Sequence, residues 1–171
     1  MKSVFWQRLD RWARRLTPFG LTLILVLVNV LPMQIPGMAR VMPLLPLIAI
    51  YHWAVNRPHL MPVYAVFIIG LLQDALSGAP MGLNILIYLA VYGIVAAQRR
   101  FLVGKSFAVV WLGFTLITAG AMFVGWALAS SLFVALVDPG ALFFQYLVSL
   151  GVFPFLTWGF VRWQRTFLRQ M

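Results

Sequence analysis

The sequence predicts an all-α membrane protein, a single domain over residues 1–171 that crosses the bilayer as six helices. Hydrophobic residues make up 63% of the chain and charged residues 9%, whereas soluble domains average about 45–50% apolar and about 25% charged residues. A soluble chain this short leaves much of its surface in water and could not bury so much apolar surface. At about 20 residues per span, the chain holds six spans joined by short loops.

The first element is a basic amphipathic helix over residues 1–17. Its apolar face carries Phe5, Leu9, Trp12 and Leu16. The remaining surface carries Arg8, Arg11, Arg14 and Arg15. Such a helix either anchors the first span at the lipid headgroups or offers a docking surface to a cytoplasmic protein. The apolar run that follows lacks a small-residue cleavage pattern, so we interpret it as a retained span and not as a signal peptide.

Six apolar runs predict the spans, and turn-forming or basic residues separate them. The spans cover about residues 19–35, 41–56, 60–77, 82–98, 106–132 and 141–161. The second run is short and has Pro43 and Pro46 near its start, where a missing amide costs less than inside a helix. Asp138-Pro139-Gly140 is a turn signal between the last two spans, and residues 162–171 form a predicted tail.

The distribution of Lys and Arg predicts that both termini lie in the cytoplasm. With six crossings and an internal N-terminus, every one of the 13 Lys and Arg residues except Arg40 falls on the inner side. Cytoplasmic loops are enriched in these residues, and an odd number of spans would put a basic cluster on the wrong side. Basic clusters between apolar runs favour contact with anionic lipid, so we expect no nucleic-acid partner despite the net charge of +10.

Asp74 is the one acid predicted within a span, about one turn from the outer end of the third. An intramembrane carboxylate is costly and should face the protein interior with a partner. It could form a binding or coupling site, or it could cap the adjoining turn through hydrogen bonds. The nearby residues Gly78, Gly82 and Asn84 favour the cap, because the glycines adopt unusual backbone angles and Asn84 can complement a carboxylate.

Two further sets of residues are candidates for packing and for surface contacts. Ala121, Gly125 and Ala129 lie at intervals of four in the fifth span and would let another helix approach closely. Arg14, Arg15, Arg99 and Arg100 form a predicted cytoplasmic basic surface. The chain has no cysteine, two histidines and three acids, and we find no catalytic or metal-ligand pattern among them. The sequence therefore predicts a non-enzymatic protein with no metal and no cofactor.

The stretch from residue 70 to residue 100 carries a distinctive pattern. It runs Gly70-Leu71, then Asp74, then a small-residue turn with Gly78 and Pro80, then Gly82-Leu83 and Asn84. An apolar run with Tyr88 and Tyr92 follows, and Arg99 and Arg100 end it. This pattern resembles the hallmark of the MreD family of rod shape-determining membrane proteins. Outside this stretch, the likeness is one of size, span count and charge layout.

The resemblance implies a role that composition cannot show. MreD-like proteins are inner-membrane members of the bacterial cell-elongation complex, which supports peptidoglycan synthesis and rod shape. Their partners are the single-span protein MreC, the polymerase RodA, a penicillin-binding transpeptidase and the actin-like MreB. Their fold is similar to the substrate-binding subunits of energy-coupling-factor vitamin transporters. The alternative is therefore such a transporter subunit, with Asn29, Gln73, Asp74 and Asn84 as the polar groups of its pocket.

Overall fold

The computed structural model describes residues 4–31, 42–133 and 138–167. Over these residues the chain forms six α-helices and one short 3-10 helix, Pro58–Leu60, between the second and third of them. The α-helices are α1 (Val4–Val30), α2 (Leu45–Asn56), α3 (Val63–Ser77), α4 (Leu83–Leu102), α5 (Phe107–Leu132) and α6 (Pro139–Phe167). Among the described residues, α1, α4, α5 and α6 are long and apolar enough to cross a membrane.

Hydrogen bonds between helix ends show that successive helices run in opposite directions. At one end, the Arg99 side chain of α4 donates to the Val55 carbonyl near the end of α2. At the opposite end, Asn29 near the end of α1 donates to the Pro43 carbonyl just before α2 and accepts from Gln73 of α3. Gln145 near the start of α6 donates to the Met42 carbonyl just before α2, so α6 runs in the same direction as α2. The start of α1 and the ends of α2, α4 and α6 therefore share one end of the bundle.

This end, which we call the basic end, holds every Lys and Arg in the described ranges. They are Arg8, Arg11, Arg14, Arg15, Arg57, Arg99, Arg100, Lys105, Arg162 and Arg165. Lys2, Arg40 and Arg169 lie outside the described residues.

The core surrounds α2, the shortest of the six α-helices in the described chain. Every residue of α2 except Asn56 is buried. The Tyr51 ring packs edge-on against Phe114 of α5 and Phe153 of α6, which stack on each other with centroids 4.3 Å apart. Apart from His52 and Asn56, α2 carries mostly apolar residues and has no continuous polar face, so its burial on all sides is the expected outcome.

The structure corrects the predicted boundaries around the first span. Residues 4–30 form one continuous helix, with no break between the predicted amphipathic segment and the first span. Pro18 lies inside this helix, a position that membrane helices tolerate because neighbouring groups satisfy the freed backbone. The predicted residues 32–35 of this span lie outside the described residues.

The starts of α2 and α3 are also later than predicted. α2 begins at Leu45, four residues inside the predicted span 41–56, because Pro43 lies in the preceding non-helical segment and Pro46 takes the first turn of the helix. α3 begins at Val63 with Pro62 as its N-cap residue. Pro at such positions fixes where a helix starts.

The structure also corrects both ends of the predicted sixth span. Asp138-Pro139-Gly140 begins α6 and is not a separate turn, since the Gly140 amide donates to Asp138 Oδ1 at 2.9 Å and Pro139 is the first helical residue. Proline is favoured there because its missing amide would have no partner anyway. At the other end, α6 continues through 162–167, so this part of the predicted tail is helical.

Candidate functional site: the Asp74 turn

The Asp74 carboxylate lies in the last turn of α3 and is 1% exposed. Its Oδ2 atom accepts hydrogen bonds from the Gly82 amide at 2.9 Å and the Ile85 amide at 3.5 Å. Its Oδ1 atom accepts from the Asn84 backbone amide at 3.0 Å and from Asn84 Nδ2 at 2.9 Å. Both carboxylate oxygens are therefore bound by N–H groups of the same chain.

These donors belong to the start of α4, which explains why a hydrogen-bond acceptor such as a carboxylate suits the site. The first amides of an α-helix have no partner within the helix, and the partial positive charge there favours an anion. The capping group usually comes from the residue just before the helix, but that position is Gly82, which has no side chain. Asp74 of the preceding helix supplies the missing acceptor, which is the geometry of a structural cap.

Two glycines give the turn its path between α3 and α4. Gly78 follows α3 with φ 68°, and Gly82 precedes α4 with φ 101°. These left-handed angles are costly for residues with a Cβ atom. Between them, the Pro80 carbonyl accepts from the Leu83 amide at 3.1 Å. The motif therefore places glycine at the two positions where left-handed backbone angles turn the chain and bring the start of α4 beside Asp74.

Gly70 and Tyr88 lie in the helices on either side of this turn. A Cβ atom on Gly70 would lie 2.7 Å from Ile85 Cα, so α3 and α4 approach to backbone contact at this point. Tyr88 lies one turn after Asn84 and is buried in the core. The predicted motif residues thus come together as one connection that fixes α4 against α3.

A second polar group lies next to the turn and joins three segments. Gln73 Nε2 donates to Asn29 Oδ1 at 3.2 Å, and Asn29 Nδ2 donates to the Pro43 carbonyl at 2.7 Å. On the far side of Pro43, the Gln145 and Ser149 side chains of α6 bind the same segment of backbone. The sequence motif does not include Gln145 and Ser149. The signal for them is a pair of polar residues four apart in an apolar span, where polar side chains are usually paired.

One of the small residues of α5, Gly125, packs closely against α4 of the same chain. A Cβ atom on Gly125 would lie 2.9 Å from Ile87 Cδ1, and Ala121 packs against the core cluster. Ala129 is half-buried. At Gly125 the close approach therefore serves the packing of this chain against itself.

Two residues of the predicted basic surface, Arg14 and Arg99, bind groups of their own chain, and the other two, Arg15 and Arg100, are exposed. Arg14 forms an ion pair with Asp10 at 3.0 Å, and Arg99 Nε donates to the Val55 carbonyl at 3.0 Å. Arg15 and Arg100 are exposed, and the Arg100 guanidinium lies 5.7 Å from the Phe101 ring centroid. Arg99 therefore caps the end of α2, where a cation is favoured, while Arg15 and Arg100 project outward.

A cleft of about 410 Å³ lies between α5 and α6, near the end of the bundle opposite the basic end. Its lining is almost wholly apolar: Ala119, Met122, Phe123, Trp126, Pro139, Leu142, Phe143 and Tyr146. The Tyr146 hydroxyl donates to the Thr115 carbonyl at 3.0 Å. None of the polar residues beside the Asp74 turn lines this cleft.

Long apolar helices, a one-sided distribution of basic residues and an internally capped turn define a multi-pass membrane protein. The sequence model of the family described as rod shape-determining protein MreD matches residues 11–165. The chain therefore belongs to the MreD family of rod shape-determining membrane proteins. No curated protein and no solved structure matched the sequence.

Proposed function

We propose that this protein is a non-catalytic membrane scaffold of the bacterial cell-elongation complex, supporting peptidoglycan synthesis through an MreC-like single-span partner. The observation that carries the proposal is the family match over residues 11–165. The Asp74 turn agrees with a scaffold, because its carboxylate is bound on both oxygens by the chain's own N–H groups. A RodA-type polymerase, a penicillin-binding transpeptidase and MreB complete the proposed complex.

We propose a six-span topology in the inner membrane with both termini in the cytoplasm. The basic end supports this orientation, since cytoplasmic segments carry the excess of Lys and Arg. α2 has 12 residues, which at 1.5 Å per residue cover about 18 Å of a hydrocarbon core about 30 Å thick. In this topology the non-helical residues 42–44 lengthen the second crossing. The likeness to the energy-coupling-factor subunit fold stays a prediction.

At the basic end, Arg15 and Arg100 are the residues that we propose for contact with anionic lipid or with MreB. Both are exposed, and basic residues beside a membrane are attracted to anionic headgroups by about 1 kcal/mol each. Arg14 and Arg99 contribute less to this surface, because each already binds a group of its own chain.

The alternative, a vitamin-binding transporter subunit, has less support from the geometry. Its proposed pocket residues Asn29, Gln73, Asp74 and Asn84 bind one another or nearby backbone. The cleft between α5 and α6 is apolar, whereas ligand sites place a few polar groups to fix orientation.

Purification from the native host in a mild detergent tests the scaffold proposal. We expect an MreC-like single-span protein to elute with the tagged chain, and we expect no vitamin to be released on denaturation. Recovery of the chain without such a partner, or with a bound vitamin, would contradict the proposal. A tagged membrane protein of similar size and unrelated function is the control for non-specific recovery.

A further inference from the structure

The described residues just before α2 do not extend that helix. Residues 42–44, which we call the break, are non-helical, and α2 begins only at Leu45. Leu44 has φ −77° and ψ 62°, the angles of an inverse γ-turn. The Leu45 amide accordingly donates to the Pro43 carbonyl at 2.8 Å. Within a bilayer such backbone is tolerated only where the protein satisfies its polar groups.

Two side chains satisfy the carbonyl groups of this segment. Gln145 Nε2 of α6 donates to the Met42 carbonyl at 2.9 Å. Asn29 Nδ2 of α1 donates to the Pro43 carbonyl at 2.7 Å. One donor comes from α1, the preceding helix, and the other from α6, 103 positions away from Met42, so the segment is held from two sides.

A third side chain satisfies the amide of Leu44. The Leu44 amide donates to Ser149 Oγ at 2.9 Å, and Ser149 is 0% exposed. The Ser149 hydroxyl in turn donates to the Gln145 carbonyl one turn earlier in α6, at 2.7 Å. The Leu44 carbonyl accepts from the Ile48 amide of α2. Pro43 has no amide, so every backbone polar group of Pro43 and Leu44 has a partner.

The same contacts reach the Asp74 turn. Asn29 uses its donor for Pro43 and its acceptor for Gln73, the residue before Asp74. A continuous path of hydrogen bonds thus joins α6, the broken segment, α1 and α3. Leucine in place of Asn29, Gln145 or Ser149 would leave a backbone carbonyl or amide of residues 42–44 without its partner, which is costly in an apolar interior.

We propose that Asn29, Gln145 and Ser149 form a polar clamp that holds the break before α2 and positions it against the Asp74 turn. The prolines explain why this segment is not helical, and the clamp explains how the bundle tolerates it. None of these three positioning residues lies within the family motif over residues 70–100. The clamp rests on the membrane topology proposed above and does not depend on the MreC-like partner.

Cysteine labelling in the purified full-length chain tests the clamp, because the sequence has no cysteine of its own. Ile48→Cys places a reporter in the first turn of α2, where Ile48 is 0% exposed. Asn29→Asp keeps the acceptor for Gln73 but removes the donor to Pro43. We expect it to raise the rate of labelling by a small maleimide about tenfold, the effect of about 1.4 kcal/mol on a local opening equilibrium.

Ser149 offers a rescue that a general packing role would not show. We expect Ser149→Ala to accelerate labelling at position 48 and Ser149→Thr, which keeps the hydroxyl, to stay near the rate of the unaltered chain. The control on the same helix is Thr157→Val, since among the described residues Thr157 Oγ1 is buried without a hydrogen-bond partner. A second reporter, Ala54→Cys at the basic end of α2, should label slowly in every variant.

Several outcomes would overturn the clamp. They are unchanged labelling at position 48 in both Asn29→Asp and Ser149→Ala, equal acceleration by Thr157→Val, and failure of Ser149→Thr to restore slow labelling. Equal acceleration at positions 48 and 54 would also contradict it, because that indicates global unfolding. The labelling assay uses purified protein without a partner. Its result is therefore independent of the co-purification experiment, and either proposal can fail while the other holds.

Discussion

Replacing Asp74 tests whether the turn is held by a structural cap. Asp74→Leu removes the acceptor for four N–H groups. The Asn84 side chain can turn away and the Ile85 contact is long at 3.5 Å, so the Gly82 and Asn84 backbone amides are the two donors that dominate the cost. An unsatisfied buried donor costs about 1–3 kcal/mol, so these two predict a loss of about 3–4 kcal/mol in the free energy of unfolding. Asp74→Asn keeps one oxygen as an acceptor but turns an amide nitrogen toward the other donors. We therefore expect about half that loss, about 1–2 kcal/mol.

Thermal unfolding in detergent, followed by tryptophan fluorescence, measures both variants. For a chain of 150–250 residues, 1 kcal/mol shifts the midpoint by about 2–4 °C, so we expect about 10 °C for Asp74→Leu and about 4 °C for Asp74→Asn. Asp138→Asn is the matched control. Asp138 is an exposed acid that binds one amide, and Asn caps helices about as well as Asp.

The order of the two variants decides between a cap and a required charge. A cap predicts that Asp74→Asn supports rod shape better than Asp74→Leu. Two results would refute the reasoning. One is unfolding of Asp74→Leu at the midpoint of the unaltered chain. The other is equal and complete loss of function in both variants at normal protein levels, which would indicate that the negative charge itself is needed.

Two further predictions use matched positions within the bundle. Gly70→Ala should lower the unfolding midpoint by overpacking α3 against Ile85, at a cost of about 1–3 kcal/mol. Gly93→Ala is the control and should be neutral or stabilising, because there is open space around its Cβ position. Equal effects of the two substitutions would contradict the close approach of α3 and α4. Arg99→Gln should lower the free energy of unfolding by about 1.5 kcal/mol, because the charged hydrogen bond to α2 is lost. Arg100→Gln should lower it by less than about 0.5 kcal/mol and should instead weaken binding to anionic vesicles. A larger loss of stability in Arg100→Gln, or weaker vesicle binding only in Arg99→Gln, would contradict these roles.

The sequence predicts the starts of α4 and α5 well because the signals for these boundaries are local. α4 and α5 begin within a residue of the predicted 82–98 and 106–132, since turn-forming or basic residues flank a long apolar run at each. The motif from Gly70 to Asn84 is equally local, and its donors and acceptor lie within 15 residues. Local spacing and residue type are therefore enough to place the Asp74 turn.

The sequence predicts less where distant segments meet. α2 is buried on every side and has no amphipathic period to mark its start. The clamp joins Gln145 to Met42 across 103 positions, a pairing that only the packed bundle creates. Arg99 and Arg100 are adjacent and of the same type, yet one caps a helix and the other projects outward, because they differ in direction around α4.

Depletion of the protein in its native host, followed by microscopy of cell shape, tests the central claim most directly. If the chain is a scaffold of the elongation complex, cells should widen and become round as it is depleted. A plasmid copy of the unaltered gene and the Asp138→Asn control should restore rods. Cells that keep a normal rod shape and a normal rate of peptidoglycan incorporation after complete depletion would contradict the account.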